Sequence, residues 1–340
     1  MDKRIDFIDY TRGVAAILVL ASHALEIFIP NWADTFQYFN IGQVGVVAFF
    51  MVSGYIIPYS LDRSGSIPKF IWGRISRIYP LYIFIGLVFL MAFISGFYVP
   101  VGDPNHGRLK IFFLHLFFVQ DLPYGDKGMI NFVPGNWTLF IEWIWYGLFV
   151  ALFYLKSHKK IKSVFVGYNV FLFILICTSY FGGYRLPYGR FCLIGIALTG
   201  YLFYTFHNSG ISKKNFWKFL LSSFAVLSLA LYITFGYFHN DTFSLTCVLL
   251  SWTSGILLFM FFESFQITNS SLSSLLSYLG KISYSVYLVH PIVLYSINYY
   301  LKDLNPIFTI SLSFLLSILV SAITFQLVER PTLKYLRSKF

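Results

Sequence analysis

The feature that most constrains this chain is a succession of ten apolar runs, at about residues 13–29, 41–60, 80–99, 137–155, 163–181, 189–206, 216–238, 243–262, 281–299 and 306–328. Each approaches the ~20 residues a helix needs to cross the hydrocarbon core of a bilayer. The composition is 57% apolar and 11% charged, against roughly 25% charged in ordinary soluble domains. A water-soluble core could not hide that much apolar surface, so soluble globular, disordered, collagenous and disulfide-scaffold classes are excluded. The expected fold class is all-α: a polytopic membrane protein of about ten transmembrane helices, forming a single integral-membrane domain over residues 1–340. A shorter run, 111–119, lies between Lys110 and Asp121. It is too short to span and reads as a re-entrant or interfacial piece.

Charge sets the orientation. With the N-terminus in the cytoplasm, 19 of the 25 Lys and Arg residues fall on the inner side of these spans and 6 on the outer side. That asymmetry satisfies the positive-inside rule and places both termini in the cytoplasm. It also accounts for the net charge of +11 without invoking nucleic acid. The longest outer loop is 100–136, rich in Pro, Gly, Asp and Asn. The opening MDKRIDFIDYTRG precedes a full span and carries no cleavage site, so it is not a removable signal. Cys177, Cys192 and Cys247 lie inside apolar runs at spacings that suit neither a metal site nor a disulfide framework. No internal repeat is visible, which argues against an inverted-repeat transporter.

Ionisable residues inside the membrane are costly and are functional candidates by default. Four stand out: His23, Glu26, Glu142 and His290. Arg12 and His23 are eleven residues apart. At about 100° per residue they share one helix face, ~16 Å apart along the axis, with Arg12 at the inner interface. Glu26, three residues beyond His23, can fix its tautomer and favour its protonated form. A His–Glu pair that only packs helices is the plainer alternative. Glu142 lies in NWTLFIEW (136–143), without a cation beside it in sequence, and must find a partner on another helix, be protonated or face water. Trp137, at the start of that stretch, reads as an interfacial anchor and a candidate channel residue. His290 follows Tyr284 and Tyr287 and precedes Pro291, which should kink or interrupt its helix. Ser53, Gly54 and Tyr55 close FFMVSGY (49–55), where small residues let a backbone or a ligand approach closely. Thr309, Ser313, Ser317 and Ser321 recur every four residues and read as a packing stripe.

Arg74 and Arg77, one helical turn apart ahead of Pro80, form with Arg12 a candidate cationic mouth on the cytoplasmic side. Guanidinium groups suit phosphate because their fork binds two oxygens at once. An extended molecule with phosphates at one end and a reactive group at the other would bridge this mouth and the His–Glu pair. Acyl-coenzyme A has that shape, and the histidine could act as general base or take the acyl group itself. Intramembrane His and Glu also serve proton relays. The competing class is therefore a proton-coupled transporter or exporter of a sugar or lipid, which would move its substrate without changing it.

Six segments, in order from residue 5 to about 332, resemble the membrane acyltransferase family 3. They are IDFIDYTRGVAAILVLASH with Arg12 and His23, FFMVSGY, the pair Arg74 and Arg77 running to Pro80, NWTLFIEW with Glu142, ISYSVYLVHP (282–291), and Glu329-Arg330-Pro331. The resemblance implies transfer of an acyl group, commonly acetyl from acetyl-CoA, to a hydroxyl of an extracytoplasmic glycan or lipid-linked sugar. It implies a bacterial cytoplasmic membrane, contact with membrane lipid and no tightly bound cofactor. It further implies that Arg12, His23, Arg74, Arg77 and Glu142 are functional. The roles expected from the residues themselves are that Arg12, Arg74 and Arg77 contact the donor, that His23, Glu26 and Glu142 are catalytic, and that Ser53, Gly54, Tyr55, Trp137, Tyr287 and His290 line the substrate channel, with His290 also a second-rank catalytic candidate. Glu329 and Arg330 are expected to pair with each other. The chain ends eight residues beyond Thr332, so the extra extracytoplasmic domain of some members is not expected here.

Overall fold

The computed structural model describes residues 5–98, 113–118, 133–156, 158, 160–184, 186, 188–238, 242–265 and 267–338. Among them every regular element is helical. The long helices are α1 (Asp6–Phe28), α2 (Ile41–Ser64), α3 (Ile67–Ile94), α4 (Trp137–Tyr154), α5 (Ile161–Gly182), α6 (Tyr188–His207), α7 (Lys213–Leu231), α8 (Leu245–Ser264), α9 (Ser270–Leu301) and α10 (Pro306–Thr324). A π turn (Phe325–Glu329) joins α10 to the short α11 (Arg330–Arg337), and another (Tyr232–Tyr237) extends α7. Each apolar run of the sequence therefore falls on a helix.

Among the described residues, nine candidate spans are long and apolar enough to cross a membrane. The tenth expected span lies in α9, which is long enough but carries Lys281, Tyr284, Tyr287 and His290 within the stretch. The protein is an integral, multi-pass membrane protein. Exposed Leu87, Met91, Phe173, Ile174, Leu257 and Leu315 are large apolar side chains that lipid would cover.

Local chemistry sets the helix starts. Asn40 caps α2, its side chain accepting from the Gln43 amide at 2.9 Å, and Ser244 caps α8 through the Cys247 amide at 3.0 Å. Ser66 caps α3 through the Lys69 amide, with a proline in the first turn. That start lies well before residue 80, where the apolar run begins, because the helix continues beyond the apolar slab. Arg74 and Arg77 accordingly sit on α3 rather than ahead of it, and Pro80 lies inside the helix. Similarly, α9 continues through Pro291, so the helix is not interrupted there. Of the run 111–119, residues 113–116 form one helical turn, and most of the loop 100–136 lies outside the described residues.

The chain divides into two compact units. The first comprises Met1–Ser22, Asn31–Gly65 and Ile141–Gly280; the second comprises His23–Pro30, Ser66–Phe140 and Lys281–Phe340. In the first unit α2 is the central packing element, meeting α6 and α8. A methyl group on Gly54 would overlap the Ala197 carbonyl oxygen, and one on Gly200 the Met51 carbonyl oxygen, so the α2 and α6 backbones touch. The Trp252 indole donates to Gln43 Oε1 at 2.9 Å and Ser251 accepts the Asn40 amide at 2.9 Å, tying α8 to the start of α2. In the second unit α11 packs on α3, where the Trp72 indole donates to the Leu336 carbonyl at 2.9 Å. The Tyr284 hydroxyl donates to the Ile78 carbonyl at 2.8 Å and ties α9 to α3.

Thr309, Ser313, Ser317 and Ser321 are all buried, as a packing stripe requires. Cys177, Cys192 and Cys247 are free thiols. Glu329, expected to pair with Arg330, accepts from the Ser285 hydroxyl at 2.7 Å, and Arg330 donates to Gln326 at 3.0 Å.

Candidate functional site

In the second unit, the helical spacing of His23 and Glu26 brings them together. Nδ1 of His23 lies 3.3 Å from Oε2 of Glu26, and the side chains are 48% and 28% exposed. The pair is therefore open on one side rather than sealed in a core. A carboxylate only accepts, so His23 Nδ1 holds the proton of this bond and Nε2 keeps its lone pair when the ring is neutral. The His290 ring stacks on that of His23, centroids 5.4 Å apart and planes 13° from parallel. His290 is only 3% exposed, and its Nδ1 lies 2.9 Å from the Val286 carbonyl oxygen.

Tyr287, one turn before His290 on α9, has its ring 6.1 Å from the His290 ring. Its hydroxyl lies 2.8 Å from both the Gly135 carbonyl oxygen and the Thr138 hydroxyl. Gly135 has φ +81°, and a Cβ there would meet the Tyr287 hydroxyl at 2.9 Å, so only glycine fits this turn without strain. This knot holds the first turn of α4 against α9, with Trp137 half-buried beside it.

The cationic cluster is also in this unit. Arg74 and Arg77 follow one another by a turn on α3, and the Arg74 guanidinium lies 5.4 Å from the Phe70 ring centroid. Arg337 of α11 joins them: its guanidinium is repelled by those of Arg77 and Arg74. In sequence Arg337 is one basic residue among those flanking the last apolar run. The signal that could have found it is the amphipathic pattern of the last eight helical residues, which makes α11 a surface helix able to fold back on α3.

In the first unit, Glu142 on α4 accepts from Tyr146 one turn later and from the Ser53 hydroxyl at 3.5 Å. Tyr146 was legible at the i, i+4 spacing but not singled out. Arg12 is half-buried on α1. Gly54 serves the α2–α6 backbone contact, one of the two reasons the sequence offered for it. Tyr55 belongs to a cluster the sequence did not reveal. Its hydroxyl lies 3.1 Å from His207 Nδ1, and His207 Nε2 lies 2.8 Å from Glu263 Oε1. Tyr204 donates to Asp62 at 2.7 Å beside it, and the Tyr55 and Tyr204 rings meet edge to face. His207 and Glu263 stand at the ends of α6 and α8, where an ionisable residue is ordinary, so nothing in their local sequence marks them.

The acyltransferase family 3 model, described as an acyltransferase domain, matches residues 5–326. ORF330 of Acidianus two-tailed virus, whose name marks it provisionally as an acetyltransferase, is 25% identical over 302 residues, covering 82% of this chain and 80% of that protein. The O-acetyltransferase OatA of Staphylococcus aureus is 24% identical over 331 residues, 88% of this chain but 54% of OatA. The chain thus spans about half the length of that relative. An uncharacterised protein of Haemophilus influenzae is 29% identical over 147 residues, 40% of this chain and 58% of its own. No solved structure matches the chain.

Proposed function

The chain belongs to acyltransferase family 3, and from that premise we propose that it is a transmembrane O-acyltransferase using acetyl-CoA from the cytoplasm. The acceptor is a hydroxyl of an extracytoplasmic glycan or lipid-linked sugar, and the protein sits in a bacterial cytoplasmic membrane. The observation that carries this reading is the half-open His23–Glu26 pair, in which one ring nitrogen is held and the other is available. In the scheme, Nε2 of His23 attacks the thioester carbon and takes the acyl group. The carbon–sulfur bond breaks, coenzyme A leaves as its thiolate, and the Nδ1 proton passes to Glu26. The acceptor oxygen then attacks the acyl carbon, the carbon–nitrogen bond to His23 breaks, the imidazole regains its proton from Glu26, and the proton lost by the acceptor hydroxyl balances the one taken up by the coenzyme A thiolate.

Arg74 and Arg77, reinforced by Arg337, supply the cationic surface that donor phosphates require. Glu142, which accepts from two hydroxyl groups, has the chemistry to bind or orient a sugar hydroxyl.

The deciding assay is thiol release from acetyl-CoA by purified protein in detergent, with His23→Ala alongside. Loss of turnover in a folded His23→Ala protein is expected; retained turnover ends the scheme. Arg74→Ala should raise the acetyl-CoA KM about tenfold or more with a smaller change in kcat, and an unchanged KM would remove Arg74 from the donor site.

A further inference from the structure

Resting on the reading above, we infer that His290 is a second catalytic histidine: its Nε2 is the base that takes the proton from the acceptor hydroxyl. The ring is nearly sealed, 3% exposed, and its Nδ1 faces the Val286 carbonyl oxygen at 2.9 Å. A carbonyl only accepts, so Nδ1 carries the hydrogen and the neutral ring bears its lone pair on Nε2. That Nε2 has no hydrogen-bond partner among the described residues. Buried acceptors are ordinarily satisfied, and a bare one calls for a missing donor. A hydroxyl is a donor of the right kind, and the ring that bears this nitrogen stacks 5.4 Å from that of His23, which would hold the acyl group.

The two rings divide the work. His23 is half exposed and held by a carboxylate, which suits the group that meets the thioester. His290 is buried and held by a neutral carbonyl. Two stacked imidazolium rings would repel each other. Acylation gives His23 a neutral ring and leaves His290 free to take a proton. In the second half-reaction the acceptor O–H proton moves to His290 Nε2, the oxygen–carbon bond forms, and the carbon–nitrogen bond to His23 breaks. Its electron pair returns to His23 as the ring recovers its proton from Glu26. The proton on His290 is finally lost to water, and coenzyme A thiolate takes one up, so the sum is acyl thioester plus alcohol giving ester plus thiol.

Positioning comes from Tyr287 and its knot with Gly135 and Thr138, one helical turn from His290. These residues hold α9 at the height of the histidine and do not themselves touch the reacting atoms.

The test uses His290→Gln in two assays with labelled acetyl-CoA. The first is transfer into the glycan and lipid fraction of native membrane vesicles; the second is thiol release with hydroxylamine, a neutral nucleophile that needs no base. The expected result is a loss of about 100-fold or more in vesicle transfer, with the acetyl-CoA KM and the hydroxylamine rate within about threefold of wild type. Added imidazole should restore part of the lost transfer in His290→Gly, which covers the case in which His290→Gln does not fold. Vesicle transfer by His290→Gln within about threefold of wild type overturns the inference, as does equal loss in both assays by a folded variant that still binds acetyl-CoA. Thiol release absent from wild type with either acceptor is a different failure: it overturns the donor reading, and the inference falls with it.

Discussion

His23 reacts, in the proposed scheme, through the nitrogen that Glu26 does not hold. Glu26 then acts as a proton store and as the clamp that selects the tautomer. Glu26→Gln keeps a hydrogen-bonding side chain of the same shape and loses the charge. Its kcat should fall about 10- to 100-fold while the acetyl-CoA KM holds steady, measured by steady-state thiol release. The Tyr55, His207 and Glu263 side chains make a different kind of group, joining α2 to the C-terminal ends of α6 and α8. His207 and Glu263 are partly exposed, at 30% and 20% of their side chains, so their ion pair is screened. Glu263→Gln should therefore cost only about 1 kcal/mol in detergent unfolding experiments and leave turnover close to wild type. A large loss of turnover would instead make this cluster part of the reaction.

At the scale of elements, the fold depends on helices that approach until their backbones touch. Gly54 and Gly200 face carbonyl oxygens across the α2–α6 contact, and no side-chain rotation relieves an overlap with backbone. Gly200→Ala should destabilise the protein by about 1–3 kcal/mol, read as a lower unfolding midpoint, with the acetyl-CoA KM of the surviving folded fraction unchanged. Helix α3 does something apolarity alone would not suggest. It begins at Ile67 and carries Arg74 and Arg77 on its early turns, and α11 docks beside them through the Trp72–Leu336 hydrogen bond. Trp72→Phe removes that bond while keeping most of the ring. It should loosen α11 and raise the acetyl-CoA KM a fewfold through Arg337, an effect that Arg337→Gln should reproduce and that the double variant should not exceed.

For the whole molecule, the physical constraint is the bilayer. Backbone groups must be satisfied within each span, which leaves helices as the available solution for these apolar runs. Orientation is a property of the flanking charges, and it makes a separable prediction. In a background lacking Cys177, Cys192 and Cys247, Ser338→Cys should react with a membrane-impermeant thiol reagent only from the cytoplasmic face. Asn305→Cys, between α9 and α10, should react only from the outside. The opposite pattern would invert the topology and put the arginine cluster on the wrong side for cytoplasmic acetyl-CoA.

Length and hydropathy by themselves determined that this chain is a bundle of membrane-crossing helices, because apolar runs near twenty residues have few other places to go. Helical periodicity was enough to place His23 beside Glu26, since residues three apart share a face whatever surrounds them. Tertiary structure decided the rest. It set the stack of His290 on His23, the partnership of Glu142 with Ser53, the return of Arg337 to α3 and the assembly of Tyr55 with His207 and Glu263. Each of these joins residues distant in sequence, and no local spacing encodes which helix faces meet. The same reason explains Gly54: a small residue in a span announces a close approach, but only the packed structure names the Ala197 carbonyl oxygen as what comes close.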